Sequence, residues 1–345
     1  MWLRRASMAV LSLGVLAASA GASWHPDPSW ELKDTGVQAR LRGLDVVTSK
    51  VVWASGSAGT VIRTTDGGRS WSSVGPPDTA ALQFRDIEAF DRRRAVILSI
   101  GTGEDSRIYR TSDGGATWTE TFRNTDPNAF YDCMAFLDHR HGLALSDPVD
   151  GKFRIAATDD GGRSWRVLPS DGMPAALAGE FAFAASGTCL VARSGRAWFA
   201  TGGGATARVF SSDDRGRTWR VTDTPVPSGP SAGIYSLAFA DRHRGVAVGG
   251  DFAAPTAAPD GAAYTRDGRT WTSAAAEPGE YRSGAAWVTP FGPVLAVGPT
   301  GSDLSWDGGR RWSRFDTGSF DAVQCAGFGG CYASGELGRV AKLSW

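Results

Sequence analysis

Six copies of one eight-residue pattern, Thr/Ser-x-Asp-x-Gly-x-Ser/Thr-Trp, run through this chain and end at Trp71, Trp118, Trp165, Trp219, Trp271 and Trp312. Their spacings are 47, 47, 54, 52 and 41 residues. A period of about 45 residues with a turn signature in every unit is the mark of a β-propeller. In the first copy, Thr64 to Trp71, the Asp66 carboxylate can accept backbone N–H bonds inside a tight turn. The glycine after it takes a backbone angle that other residues resist. Trp71 opens the next strand and offers its indole for burial between sheets. Asp66, Asp113, Asp160, Asp214, Asp267 and Asp307 are therefore read as turn formers. The fifth copy is one residue short, and the sixth carries Arg311 in the hydroxyl position.

The two ends of the chain complete the pattern. Ser29-Trp30-Glu31-Leu32 parallels Arg311-Trp312-Ser313-Arg314 but has no box before it. Gly338-Arg339-Val340-Ala341 parallels Gly59-Thr60-Val61-Ile62 but stops before its box. Six whole repeats and one split repeat predict an all-β, seven-bladed propeller of four-stranded antiparallel blades. The N-terminal strand closes the last blade and removes open sheet edges. Residues 23–345 are assigned to this one domain.

Residues 1–22 read as a secretion signal. Arg4 and Arg5 precede an apolar run from Ala9 to Ala18, followed by small-residue cleavage sites at Ala18-Ser19-Ala20 or Ala20-Gly21-Ala22. The expected location is outside the cytoplasm, with no transmembrane segment in the mature chain. Export permits disulfides. Cys325 and Cys331 flank a glycine-rich hairpin and are candidate cross-strand partners, whereas Cys133 and Cys189 lie in different blades, where a free buried thiol is the commoner fate, and their disulfide state is left open. His139 and His141 fall in a repeated inter-strand turn, Asp138-His139-Arg140-His141-Gly142, matched by Asp241-Arg242-His243-Arg244-Gly245. No metal and no cofactor is expected. The chain carries 36 Lys and Arg against 36 Asp and Glu. That balance gives no general case for binding nucleic acid or a membrane surface, and a monomer is expected.

The boxes and the text Gly59 to Trp71 resemble the Asp-box (bacterial neuraminidase repeat) propellers. Within them the chain looks most like the exported photosystem II stability/assembly factor family and its relatives in non-photosynthetic bacteria, and more distantly like sialidases. The resemblance implies the propeller fold and leaves the activity open, because such boxes occur in unrelated activities.

Function is sought where the repeats differ. Aligning the inner strands places one residue per blade at the channel mouth opposite the boxes: Arg42, Arg85, Tyr131, Glu180, Tyr235, Arg282 and Asp321. Neighbouring loops add Asp147, Asp150, Lys152 and Asp251. Arginine forks match carboxylates bidentately. The ring is thus read as the surface of a non-catalytic scaffold that binds a protein partner or an anionic or glycan ligand. The alternative is a sialidase-like hydrolase of acidic sugars. The motif expected of it, Phe/Tyr-Arg-Ile-Pro, has its nearest counterpart in Phe153-Arg154-Ile155-Ala156, which lies in the third blade without the proline. No residue is assigned a catalytic role.

Overall fold

The computed structural model describes residues 27–345; the predicted secretion signal lies outside them. Seven four-stranded antiparallel sheets follow one another in the chain. Blade 1 shows the plan, with strands Leu41–Val46, Val52–Gly56, Val61–Thr64 and Ser72–Ser73 ordered from inside to outside. Among the described residues no helix is long and apolar enough to cross a membrane.

The second strand of each blade is largely apolar because both its faces are covered. Val52–Gly56 and Ala95–Leu98 are entirely buried. Neighbouring blades share their cores. Val96 and Leu98 of blade 2 pack with Met134, Ala144 and Ala156 of blade 3. Trp53 of blade 1 is fully buried against blade 2 residues such as Phe84 and Ile87. Each such large side chain contributes about 1.5–3 kcal/mol by burial, so every blade is held mainly by its two neighbours.

The ring closes as the sequence predicts. Ser29–Lys33 lies antiparallel to Val340–Ser344, with Trp30 opposite Leu343 and Lys33 opposite Val340. Trp30 also donates through Nε1 to Ser302 Oγ of blade 6 at 2.9 Å and packs near Phe315 and Phe320. The N-terminal strand therefore ties two blades together.

All six box turns share one hydrogen-bond pattern. In the first, the Thr64 hydroxyl donates to Asp66 Oδ1 at 2.8 Å and accepts the Gly68 N–H at 3.0 Å. Asp66 Oδ1 accepts the N–H groups of Arg69 and Ser70, and Oδ2 accepts the Ser70 hydroxyl. Asp113, Asp160, Asp214, Asp267 and Asp307 accept the equivalent bonds, though Arg311 leaves Asp307 without the hydroxyl donor.

Both cysteine pairs are disulfides. Cys325 and Cys331 face each other across the hairpin of blade 7. Cys133 and Cys189, whose state the sequence leaves open, are also joined and are not the free thiols that are the commoner case. They are distant in sequence, but blades 3 and 4 place their inner strands side by side with Cα atoms 6.2 Å apart.

Strand direction fixes which residues share an end of the ring. Connections from first to second and from third to fourth strands, the box turns among them, open at one end. Connections from second to third strands and from blade to blade open at the other, the mouth end.

Candidate functional site at the channel mouth

Four inner strands enter the channel through a β-bulge. In blade 1 Leu41 pairs with Gly56 and Gly43 with Ser55, leaving Arg42 as the extra residue. The same irregularity isolates Arg85 in blade 2, Asp132 in blade 3 and Tyr235 in blade 5. A bulge re-aims the extra side chain. Here it turns a position that strict alternation would place on a sheet face toward the channel mouth. The residue before it stays in the core, as Leu41, Phe84, Tyr131 and Ile234 do.

Arg42, Arg85, Tyr235 and Asp321 line one cavity of about 520 Å³. The structure adds Arg40, Phe183, Phe252 and Tyr281 to it. Asp321 is the carboxylate among the described lining residues. Arg40 holds it with a fork, Nε to Oδ2 at 2.8 Å and Nη2 to Oδ1 at 2.7 Å. Arg40 also pairs with Glu336. Arg42 approaches the same carboxylate at 3.7 Å, and its buried Nε makes no hydrogen bond. Arg85 meets no carboxylate among the described residues. It donates to the Ala184 carbonyl at 2.9 Å and to Gln83 Oε1 at 3.1 Å.

Electrostatics reflect this crowding. Burial, then repulsion from Arg42 and Arg40, pushes the Arg85 guanidinium down to about 10. Burial also lowers Arg42, against the pull of Asp321. Three cations thus share one lining anion, and an additional carboxylate would relieve the excess. One wall is aromatic. Tyr235 stacks on Phe183 with centroids 3.9 Å apart and meets Tyr281 edge-on at 4.7 Å. The Tyr235 hydroxyl is committed to the Ser231 carbonyl.

The other expected mouth residues do not reach this cavity. Tyr131 and Arg282 sit one register position too early. Tyr131 is 1% exposed in the core of blades 2 and 3. The Arg282 N–H bonds the Gly249 carbonyl of the preceding blade as the Leu41 N–H bonds Gly335. Its side chain is fully buried and donates through Nε to Asp303 at 2.6 Å. Ser283 holds the mouth position in that blade, and Asp132 holds it in blade 3.

Glu180 is structural. Arg208 grips both its oxygens, the Thr201 hydroxyl donates to one at 2.6 Å, and the Leu177 N–H donates to the other at 2.8 Å. Asp147 accepts the Ala182 N–H at 2.8 Å and is pushed up to about 7, mainly by burial. Burial and the adjacent Asp147 carboxyl hold Asp132 well above the usual range. Asp150 is exposed beside Arg154, Lys152 donates to the Ser170 carbonyl, and Asp251 accepts the Ala253 N–H to shape its loop. In the Phe153-Arg154-Ile155-Ala156 segment, Phe153 is fully buried and Arg154 pairs with Asp126 at 2.8 Å.

At the box end the channel widens into a second cavity of about 420 Å³, where Asp45, Asp86 and Glu88 lie. Asp45 accepts the Ala89 N–H and Asp86 the Met134 N–H. These two carboxyls stitch the inner strands of blades 1 and 2 to the blade that follows each.

No family model matches the chain, and no curated protein matches its sequence. Its fold is similar to that of solved propellers. YCF48 bound to a D1 peptide superposes with a TM-score of 0.65 at 15% identity, covering 95% of this chain and 99% of that one. YCF48 from Cyanidioschyzon merolae gives 0.61 at 16% identity over 91% and 98%. U3-55K gives 0.60 at 14% identity over 92% and 98%. At these identities the likeness is one of fold.

Proposed function

We propose that this chain is a non-catalytic binding propeller that takes a carboxylate-bearing segment of a partner protein at the mouth formed by Arg42, Arg85, Tyr235 and Asp321. The carrying observation is the Arg85 guanidinium, half-buried among two further arginines and paired with no carboxylate among the described residues. A peptide carboxylate would complete its fork, while the stacked Phe183–Tyr235 pair would receive apolar side chains. The likeness to a propeller of this shape with a D1 peptide bound supports a peptide as the ligand. An exported protein is part of the proposal, and two disulfides favour an oxidising compartment.

A library of short peptides with free C-terminal carboxylates, screened against the purified protein, supplies the probe. For its tightest member, Arg85→Ala should weaken binding by roughly 1.5–3 kcal/mol, the range for charge-assisted bonds. Arg92→Ala, at the box end, should leave it unchanged. Equal losses from the two variants would place the binding surface elsewhere.

A further inference from the structure

The balanced charge of this chain conceals a polar molecule. The thirteen connections that open at the box end carry 15 Lys and Arg against 11 Asp and Glu. Those that open at the mouth end carry 3 against 13. Every box contributes an aspartate whose oxygens are spent on its own turn, while arginines such as Arg69, Arg163, Arg217 and Arg269 follow those aspartates outward.

The same end carries the largest exposed aromatics. Phe291 is 89% exposed at the tip of the blade 6 hairpin Thr289-Pro290-Phe291-Gly292, and Phe328 is 57% exposed at the tip of the blade 7 hairpin. The two tips adjoin: a side chain at Gly292 would meet the Phe328 ring at 3.6 Å. Trp345 packs against both Phe328 and Trp306. Beside Phe291 lies a crevice of about 390 Å³ whose cations are Arg244, Arg266 and Arg310. Arg244 is paired with Asp241, and neither Arg266 nor Arg310 has an ion-pair partner among the described residues. Asp307, the carboxylate in the crevice, is bound into its own turn.

We propose that the box end of blades 6 and 7 is a docking surface for an anionic lipid bilayer, with Phe291 and Phe328 entering the interface and Arg266 and Arg310 meeting lipid phosphates. Protruding aromatic tips beside unpaired cations combine the apolar and electrostatic contributions that seat a peripheral protein on a membrane. Phe291 stands at the lip of the crevice with the Arg244 guanidinium 5.1 Å from its ring, and both phenylalanines project from hairpin tips into solvent, which suits a yielding bilayer better than a rigid protein partner. In this orientation the mouth faces away from the membrane.

Flotation with vesicles tests the assignment. The protein should rise with vesicles of equal parts phosphatidylcholine and phosphatidylglycerol, should stay behind with phosphatidylcholine alone, and should be released by salt. Arg266→Gln with Arg310→Gln should weaken partitioning roughly thirtyfold. Phe291→Ser with Phe328→Ser should abolish flotation and lower the melting temperature only slightly, because both side chains are mostly exposed. No flotation with the anionic vesicles would overturn the proposal, as would flotation that survives loss of both phenylalanines. Retention on polyglutamate without flotation would assign the surface to an acidic protein instead, which also overturns it.

Discussion

At the scale of single residues, the aspartates of this chain divide by what their oxygens accept. Although burial opposes it, hydrogen bonds from the Ser164 hydroxyl and N–H, the Thr158 hydroxyl and the Arg163 N–H hold Asp160 down to about 2. Its folded value thus lies below the ordinary 3.8. The sign of the linkage follows: this stabilisation is complete above about pH 4 and is lost as pH falls through the folded value. Asp160→Ala should therefore lower stability at neutral pH by about 1 kcal/mol, a typical hydrogen-bond contribution. It should also reduce the loss seen between pH 4 and 2, and it should not alter binding at the mouth. Thermal melts across that pH range check both. A variant as stable as the parent would show that the turn holds without its carboxylate. Asp86 has the opposite sign. Burial holds its carboxyl above the usual range, so it opposes folding as pH rises through that range.

At the scale of elements, what could be read from the chain depended on repetition. Box turns recur with fixed chemistry, so the blades and the split closure were legible from Trp30, Val340 and the six Asp positions. Mouth residues depend on a bulge, and a bulge shifts which residue points inward without leaving a mark on composition. Arg42, Arg85, Tyr235 and Asp321 were found because they follow the large apolar residue that anchors each inner strand. Tyr131 and Arg282 were misplaced by one position, Tyr131 because it is itself the anchor and Arg282 because a buried arginine has taken the anchor's place against Asp303. A large side chain also precedes each of them, Phe130 before Tyr131 and Tyr281 before Arg282, so side-chain size along the chain does not by itself separate anchor from mouth residue. Arg40, Phe183, Phe252 and Tyr281 come from blade connections that do not align. The Cys133–Cys189 bond crosses between blades, so neither spacing nor hairpin geometry announced it. It closes 56 residues of chain, which corresponds to roughly 4 kcal/mol of loop-closure entropy. The double variant Cys133→Ala, Cys189→Ala should lose a large part of that in denaturant unfolding. Removing Cys325 and Cys331, which enclose a shorter loop, should cost less. The reverse order would mean that the inter-blade contact is secured by packing alone.

At the scale of the whole molecule, the propeller separates two surfaces that the chain interleaves every few residues. One end gathers box turns, arginines and exposed aromatics. The other gathers acidic loops around a small cationic and aromatic mouth. A partner carrying excess negative charge would be repelled by the acidic rim, so the ligand proposed for the mouth is a segment that presents a carboxylate on an otherwise neutral or basic stretch. The proposed binding rests on a direct contact between Arg85 and a ligand carboxylate. A double-mutant cycle measures this most directly, titrating the parent and Arg85→Ala proteins with the selected peptide as its free acid and as its C-terminal amide. A coupling of roughly 1.5–3 kcal/mol between the guanidinium and the carboxylate is expected, whereas additive losses with no coupling would rule the contact out.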